Sequence, residues 1–175
     1  MLKKIIILIF LSSLVQAQAQ DGRPYDYTQD ETPLLPHALQ TPGSLTYPAP
    51  KISEICSREF RKKIPELTQD LKQKVFDTYG IDISKSSLYQ IDHLITPEVG
   101  GGNDIKNLWP QSLVSKPWNA HMKDRLENHL HREICQGRMS PNHAQTLLTL
   151  DWIDSYCIIF EDMTKECLEY RKKRK

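Results

Sequence analysis

The segment from Tyr89 to Trp109 constrains the fold more than any other part of the 175-residue chain. Residues 88 to 94 alternate in character as a β-strand does, which places Asp92 on one face and His93 on the other. Three consecutive glycines follow and allow a sharp reversal. A second short strand is predicted around Asn107 to Trp109, until proline 110 interrupts it. The pattern predicts a β-hairpin with polar side chains at its end.

Helices are predicted on both sides of this hairpin. Pro65 suits the first turn of a helix whose apolar spacing continues up to Gly80. A second helix, with an apolar face that includes Leu126, ends before Gly137. Ser140 is predicted to cap the last helix, with proline at its first position.

The N-terminus has the pattern of an export signal. Lys3-Lys4 form a basic region, Ile5 to Leu11 an apolar region, and Ala17-Gln18-Ala19 a small-x-small cleavage site. We therefore predict a signal peptide over residues 1–19 and an exported chain, periplasmic or secreted. No stable membrane span is expected after cleavage, because the apolar run is too short.

Composition divides the remainder of the chain. Residues 20–50 carry six of the eleven prolines and are predicted to be an extended, disordered arm. Residues 51–170 then form the folded domain, and the basic run 171–175 is a solvated tail. Since 23 basic residues face 22 acidic ones, no global charge attracts nucleic acid, and any attraction must come from local clusters.

Four cysteines in an exported chain favour disulfides. Cys157 and Cys167 would lie about 15 Å apart in one unbroken helix, so a bridge between them requires a helix break near residues 162–164. Cys56 with Cys135 is the favoured pair.

These motifs resemble the HNH endonuclease superfamily. The resemblance is carried by Asp92-His93, the glycine turn, Asn107-Leu108 and the segment from Asn119 to Lys123. Over about residues 55 to 153 the chain is similar to small exported HNH-like bacterial proteins. The resemblance implies an α+β fold with a ββα-metal core, a β-hairpin plus a helix, wrapped by additional helices. It also implies hydrolysis of phosphodiester bonds in DNA, or in RNA.

The chemistry of the hairpin residues agrees with that resemblance. Asp92 offers an oxygen ligand to a divalent cation, and a neutral His93 is a competent general base for water. In an ideal pleat the two side chains leave on opposite faces, so sharing one pocket requires a local twist or bulge. Asn107 is predicted to brace the hairpin through backbone hydrogen bonds.

The third metal ligand is left open by the sequence. The superfamily pattern places His or Asn at the start of the helix, and both Asn119 and His121 fit, with His121 slightly favoured. An oxygen-rich site favours Mg²⁺ or Mn²⁺, whereas a His121 ligand admits Zn²⁺ or Ni²⁺. Lys123 and Arg125 are predicted phosphate contacts; the alternative is a solvated helix face with local ion pairs.

The sequence thus predicts an exported, monomeric, metal-dependent endonuclease that acts on nucleic acid. Two other classes fit the same motifs. One is a module that keeps the fold and binds nucleic acid or an envelope partner without turnover. The other is a secreted toxin or effector nuclease, which would require an immunity or inhibitor protein as its partner.

Overall fold

The computed structural model describes residues 35–161 and 164–173, so the predicted signal peptide lies outside the described part of the chain. The helices and strands are α1 Ile52–Ile55, α2 Phe60–Lys63, α3 Gln69–Thr78, β1 Tyr89–His93, β2 Leu108–Ser112, α4 Ala120–Cys135, α5 Pro141–Ile159 and α6 Lys165–Lys173. Three short 3-10 turns at Ile83–Leu88, Pro97–Val99 and Ile105–Asn107 surround the strands.

The two strands form the predicted antiparallel hairpin, with Asp92 opposite Trp109. The expectation that Pro110 ends the second strand is wrong, because Pro110 lies inside β2 opposite Ile91. The flanking hydrogen bonds, from Leu94 N to Asn107 O and from Leu113 N to Leu88 O, make this a non-hydrogen-bonded pair. The proline nitrogen therefore faces the free edge, where a missing N–H removes no ladder bond.

The glycines lie in the connection between the strands. Gly100 has a φ of 98° and ends a 3-10 turn. A Cβ on Gly101 would lie 1.7 Å from the carbonyl oxygen of Ile95, so the close approach of the two backbone segments requires glycine there. This packing folds the connection back beneath the hairpin.

Two helix starts show how capping sets the boundaries. The prediction that Pro65 opens a helix is wrong: α3 begins at Gln69, where the Thr68 hydroxyl accepts a hydrogen bond from Leu71 N. The prediction for the last long helix is confirmed. Ser140 caps α5 by accepting from His143 N, and Pro141 is its first residue.

A single apolar core joins the hairpin to α3, α4 and α5. Trp109 and Trp152 lie within it rather than at the surface. Other members are Val75, Phe76, Tyr89, Leu108, Leu126, Leu130, Ile134, Leu148, Ile153 and Tyr156. The core holds one face of α4 against the sheet, and this positions the polar side chains of β1.

The second half of the proline-rich segment is part of the domain, which corrects the predicted boundary at residue 51. Thr41 is buried, and its hydroxyl donates to Leu108 O at 3.0 Å and bonds the Tyr79 hydroxyl at 2.5 Å. A backbone hydrogen bond from Gly43 N to Lys106 O ties this segment to the connection between the strands. Apolar periodicity could not reveal this docking, because polar hydrogen bonds carry it.

Two disulfides confirm the predictions made for the four cysteines. Cys56 is bonded to Cys135, and this bridge joins the end of α1 to the end of α4. Cys157 is bonded to Cys167. Helix α5 ends at Ile159 and α6 begins at Lys165, so the helix break that this bridge was predicted to require is present. The expected solvated tail is corrected in part. Residue 171 belongs to α6, where Arg171 Nε donates to Asp154 Oδ1 at 2.6 Å.

The fold is mixed α and β, as predicted, with one two-stranded sheet and a majority of helix in the described part of the chain. Among the described helices, none combines the length and the apolar character that crossing a bilayer requires.

Candidate functional site

Asn107 fastens the connection between the strands to β1. Its side-chain carbonyl accepts from Ile95 N at 2.9 Å, and its amide donates to Ile95 O at 2.9 Å and to Gly102 O at 2.8 Å. The side chain is fully buried, so these bonds are shielded from water. This is the bracing arrangement predicted from the sequence, and it fixes the backbone directly after His93.

His93 ends β1 and is half-buried. Its Nε2 lies 2.7 Å from Asn103 Oδ1, and Asn103 Nδ2 donates to Pro65 O at 2.9 Å. Burial lowers the pKa of His93, against smaller opposing effects of the Asn103 hydrogen bond and the Asp92 charge. Burial therefore keeps the imidazole neutral, and the Asn103 amide orients it. Asn103 is not among the site residues predicted from the sequence.

Asp92 has a different partner. Its carboxylate lies on the α4 side of β1, where Lys123 Nζ is 2.8 Å from Asp92 Oδ2. The same ammonium pairs with Glu127 and donates to the carbonyl oxygen of His93 at 2.6 Å. Lys123 is completely buried. The structure therefore separates the adjacent Asp92 and His93 side chains, in line with the alternation of a β-strand.

Three carboxylates converge at this junction of β1 and α4. Ligand atoms of Asp92, Asp124 and Glu127 all lie within 4.8 Å of one another. Burial raises the pKa of Asp124 and also that of Glu127, where the Lys123 charge opposes the effect. Burial alone would lower the pKa of Lys123, yet its two carboxylate partners raise it, so this side chain stays charged.

The two alternative helix-start ligands do not join this cluster. Asn119 is the N-cap of α4: its side chain accepts from Met122 N at 3.3 Å and donates to Ser115 O at 3.1 Å. His121 is exposed on the first turn of α4 and acts on Asp124 as a neighbouring charge. His121 is not among the residues whose ligand atoms gather around Asp92, and the Asn119 side chain is engaged by its own capping bonds.

The two predicted phosphate contacts have protein partners. Lys123 is inaccessible, because Asp92 and Glu127 draw its ammonium into the interior, and this corrects its assignment as a direct contact. Arg125 is exposed, but its guanidinium lies 4.4 Å from the centre of the Phe160 ring and donates to the Tyr156 hydroxyl at 2.5 Å. Its flat face is thus already stacked on an aromatic ring.

A cleft of about 690 Å³ opens beside the His93–Asn103 pair. Asn103 and Pro65 line it, so His93 lies one hydrogen bond behind its wall. Phe60 and Lys63 from α2 contribute an aromatic ring and a cation. The remaining lining comes from α1, from residues 46–50 and from the glycine connection.

The sequence contained a signal for the buried Lys123 that apolar periodicity alone overlooks. Lys123 and Glu127 are four residues apart and fall on the same stripe of α4 as Leu130 and Ile134. A lysine and a glutamate on a buried stripe indicate a paired interior ion. Asn103 carried no comparable signal, since its position depends on how the connection folds.

A second group that could hold a metal by its atom types consists of Cys56, His131 and Cys135. The two cysteines are disulfide-bonded, so their sulfurs are not thiolate ligands in this state.

Comparison of the chain with family models, curated proteins and solved structures finds no match in any of the three.

Proposed function

We propose that this protein hydrolyses phosphodiester bonds in nucleic acid, with His93 as the general base. One observation carries the proposal: a neutral imidazole, fixed by Asn103, ends the hairpin beside a cleft large enough for a nucleotide. The proposal is also supported by the hairpin and by helix α4, which Lys123 joins to the end of β1, because the sequence resemblance implies a hairpin plus a helix.

The hydrogen-bond chain assigns the proton on the imidazole. Asn103 donates through Nδ2 to Pro65 O, so its carbonyl oxygen is the atom that faces His93. His93 Nε2 must then carry the hydrogen. Within the described residues no partner occupies Nδ1, whose lone pair is free to accept a proton from an attacking water or hydroxyl.

The charges behind the imidazole moderate its basicity. The Asp92 carboxylate favours the imidazolium that forms when His93 takes up the proton, whereas the Lys123 ammonium disfavours it. Because these effects oppose one another, burial decides the resting state, and the base is unprotonated at neutral pH. The hydrogen bonds between the Asn107 side chain and the Ile95 backbone keep the end of β1 in place during this transfer.

The residues around Asp92 do not fit the metal centre predicted from the sequence. Three carboxylate oxygens suit a hard cation by their chemistry. Asp92 and Glu127, however, already share the ammonium of Lys123, and Asn119 is committed to its capping bonds. No step of the proposed chemistry is therefore assigned to a metal.

The cleft supports a nucleic-acid substrate, DNA or RNA. Phe60 offers a face for base stacking, and Lys63 offers a cation for a phosphate. Within the basic run of α2, Lys63 is the cation that lines the cleft, whereas Arg61 pairs with Glu98 and Lys62 with Glu59.

Cleavage assays on the oxidised domain test this function. Plasmid DNA and a labelled RNA are incubated with the wild type, with His93→Ala and with His121→Ala as a matched exposed-histidine control. We expect cleavage by the wild type and by His121→Ala, and loss of about 100-fold or more in His93→Ala. Equal activity of His93→Ala and the wild type would remove His93 from the mechanism.

A second candidate is a module that binds nucleic acid without turnover. The observation that favours it is the ion pair of Asp92 with Lys123, which engages the carboxylate that the resemblance assigns to a metal. In that case a labelled oligonucleotide is bound and released unchanged by the wild type and by His93→Ala. Lys63→Ala would weaken binding in the wild type and in His93→Ala alike, because an electrostatic contact to phosphate does not depend on His93.

A further inference from the structure

The strongest unexplained feature is the fully buried lysine at the centre of the site. Lys123 Nζ lies 2.8 Å from Asp92 Oδ2 and 2.6 Å from the His93 carbonyl oxygen, and it also pairs with Glu127. An ammonium has three N–H donors, and here it meets three oxygens. The set contains two carboxylates and a backbone carbonyl, which are the ligand types that a hard cation takes.

We propose that the Lys123 ammonium is the resident cation of this junction and occupies the place that the sequence predicted for a divalent metal. The inference deepens the proposed function, on which it rests for the role of His93. The site then assembles without a metal ion. Lys123 acts as a positioning residue, because its bond to the His93 carbonyl joins α4 to the end of β1.

The charge and burial around Lys123 support this assignment. The side chain is completely buried and its partners Asp92 and Glu127 are nearly so, so the three groups form an interior ion cluster. Removing the ammonium would leave the buried Asp92 carboxylate without its counter-charge, which is strongly unfavourable. A divalent ion bound to Asp92 would lie beside a fixed positive charge and would be repelled by it.

The third carboxylate does not overturn this arrangement. Asp124 is half-buried and has Gln90 of β1 as a hydrogen-bond partner. His121, the nearest imidazole on α4, is exposed. Asp124 thus has a protein partner of its own outside the Lys123 pairs.

Manganese is the probe for the test, since its paramagnetism broadens nearby amide signals. In the wild type, saturating Mn²⁺ should leave the amide signals of Asp92 and His93 sharp and should leave the melting temperature equal to that in EDTA. Broadening centred on Asp92, together with a melting temperature raised by Mn²⁺, would overturn the proposal. This measurement requires no variant.

Lys123→Met supplies the complementary test, because it removes the ammonium while keeping a long apolar stem. We expect Lys123→Met to bind Mn²⁺ at least tenfold more tightly than the wild type by calorimetry. Adding Asp92→Asn should abolish that gain, whereas Lys123→Arg should bind no more than the wild type. Wild-type and Lys123→Met proteins with the same Mn²⁺ affinity would contradict the proposal, and if Lys123→Met does not fold, the wild-type signals decide.

These readouts separate the inference from the proposed function. A wild type that binds no Mn²⁺ at Asp92 and cleaves nothing would support the resident ammonium and refute hydrolysis. Cleavage that requires Mn²⁺, with broadening at Asp92, would refute the resident ammonium and support hydrolysis.

Discussion

His93 Nε2 and Asn103 Oδ1 lie 2.7 Å apart and join the end of β1 to the wall of the cleft. The pair is ten residues apart in sequence and meets because the connection between the strands folds back beneath the hairpin. Asn103 is itself held by Pro65, so the orientation of the imidazole depends on residues from three separate segments.

The first prediction concerns pH. Burial lowers the pKa of His93 from its ordinary value of 6.5, so the base form should persist into mildly acidic solution. Asn103→Asp places a carboxylate beside the ring and favours the imidazolium, so it should raise the pKa and move the acid limb of kcat/KM to higher pH. An NMR titration of His93 checks the shift independently of activity. A pKa that is unchanged in Asn103→Asp would contradict the hydrogen-bond assignment.

Asn107→Ala tests the buried hydrogen bonds that fasten the connection between the strands to β1. Three hydrogen bonds within the interior are lost, and the Ile95 and Gly102 backbone groups lose their partner. Since each unsatisfied buried group costs roughly 1–3 kcal/mol, we expect a loss of several kcal/mol in the free energy of unfolding. Chemical denaturation measures it. As a control, Asn142→Ala on the exposed first turn of α5 should change stability by less than about 0.5 kcal/mol.

Removal of the disulfide that closes the longer loop should cost more stability. Cys56 and Cys135 are 79 residues apart, and the chain-entropy model gives their bridge roughly 4.5 kcal/mol, against roughly 3 kcal/mol for the ten-residue separation of Cys157 and Cys167. The double serine variant of the first pair should therefore melt at a lower temperature than that of the second. The opposite order in calorimetry would show that local packing outweighs loop closure.

Thr41→Val tests whether the proline-rich segment belongs to the domain. The substitution keeps the shape of the side chain but removes the bonds to Leu108 O and the Tyr79 hydroxyl. We expect a loss of about 1–3 kcal/mol in the free energy of unfolding. Thr46→Val, at an exposed position of the same segment, removes one bond, to Gly101 O at 2.8 Å, and should cost less. Equal small effects at both positions would indicate that the segment contributes nothing to stability.

The parts of the fold that depend on local chemistry could be predicted from the sequence. Ser140 and Pro141 fixed the start of α5, and the Cys157–Cys167 spacing required the helix break that separates α5 from α6. The prediction of a helix start at Pro65 was wrong because a proline suits both a helix start and an extended linker. The helix begins after Thr68, which caps it.

The site was less predictable because its partners come together through tertiary contacts. The roles of Asn107 and His93 depend on neighbouring backbone and on burial, and a hairpin pattern suggests both. The pairing of Asp92 with Lys123 spans 31 residues and requires knowing which face of α4 packs on β1. Lys123 is predicted from the sequence to contact phosphate, with a solvated helix face as the alternative, although its spacing from Leu130 places it inside.

Chemical rescue tests the central claim, that His93 is the base, most directly. His93→Gly is prepared as the oxidised protein and assayed on the substrate that the wild type cleaves, with and without added imidazole. The account predicts that cleavage is lost in His93→Gly and returns in part with imidazole, with an acid limb that follows the pKa of the added base. Full activity of His93→Gly without imidazole, or a wild type that cleaves neither DNA nor RNA, would contradict it.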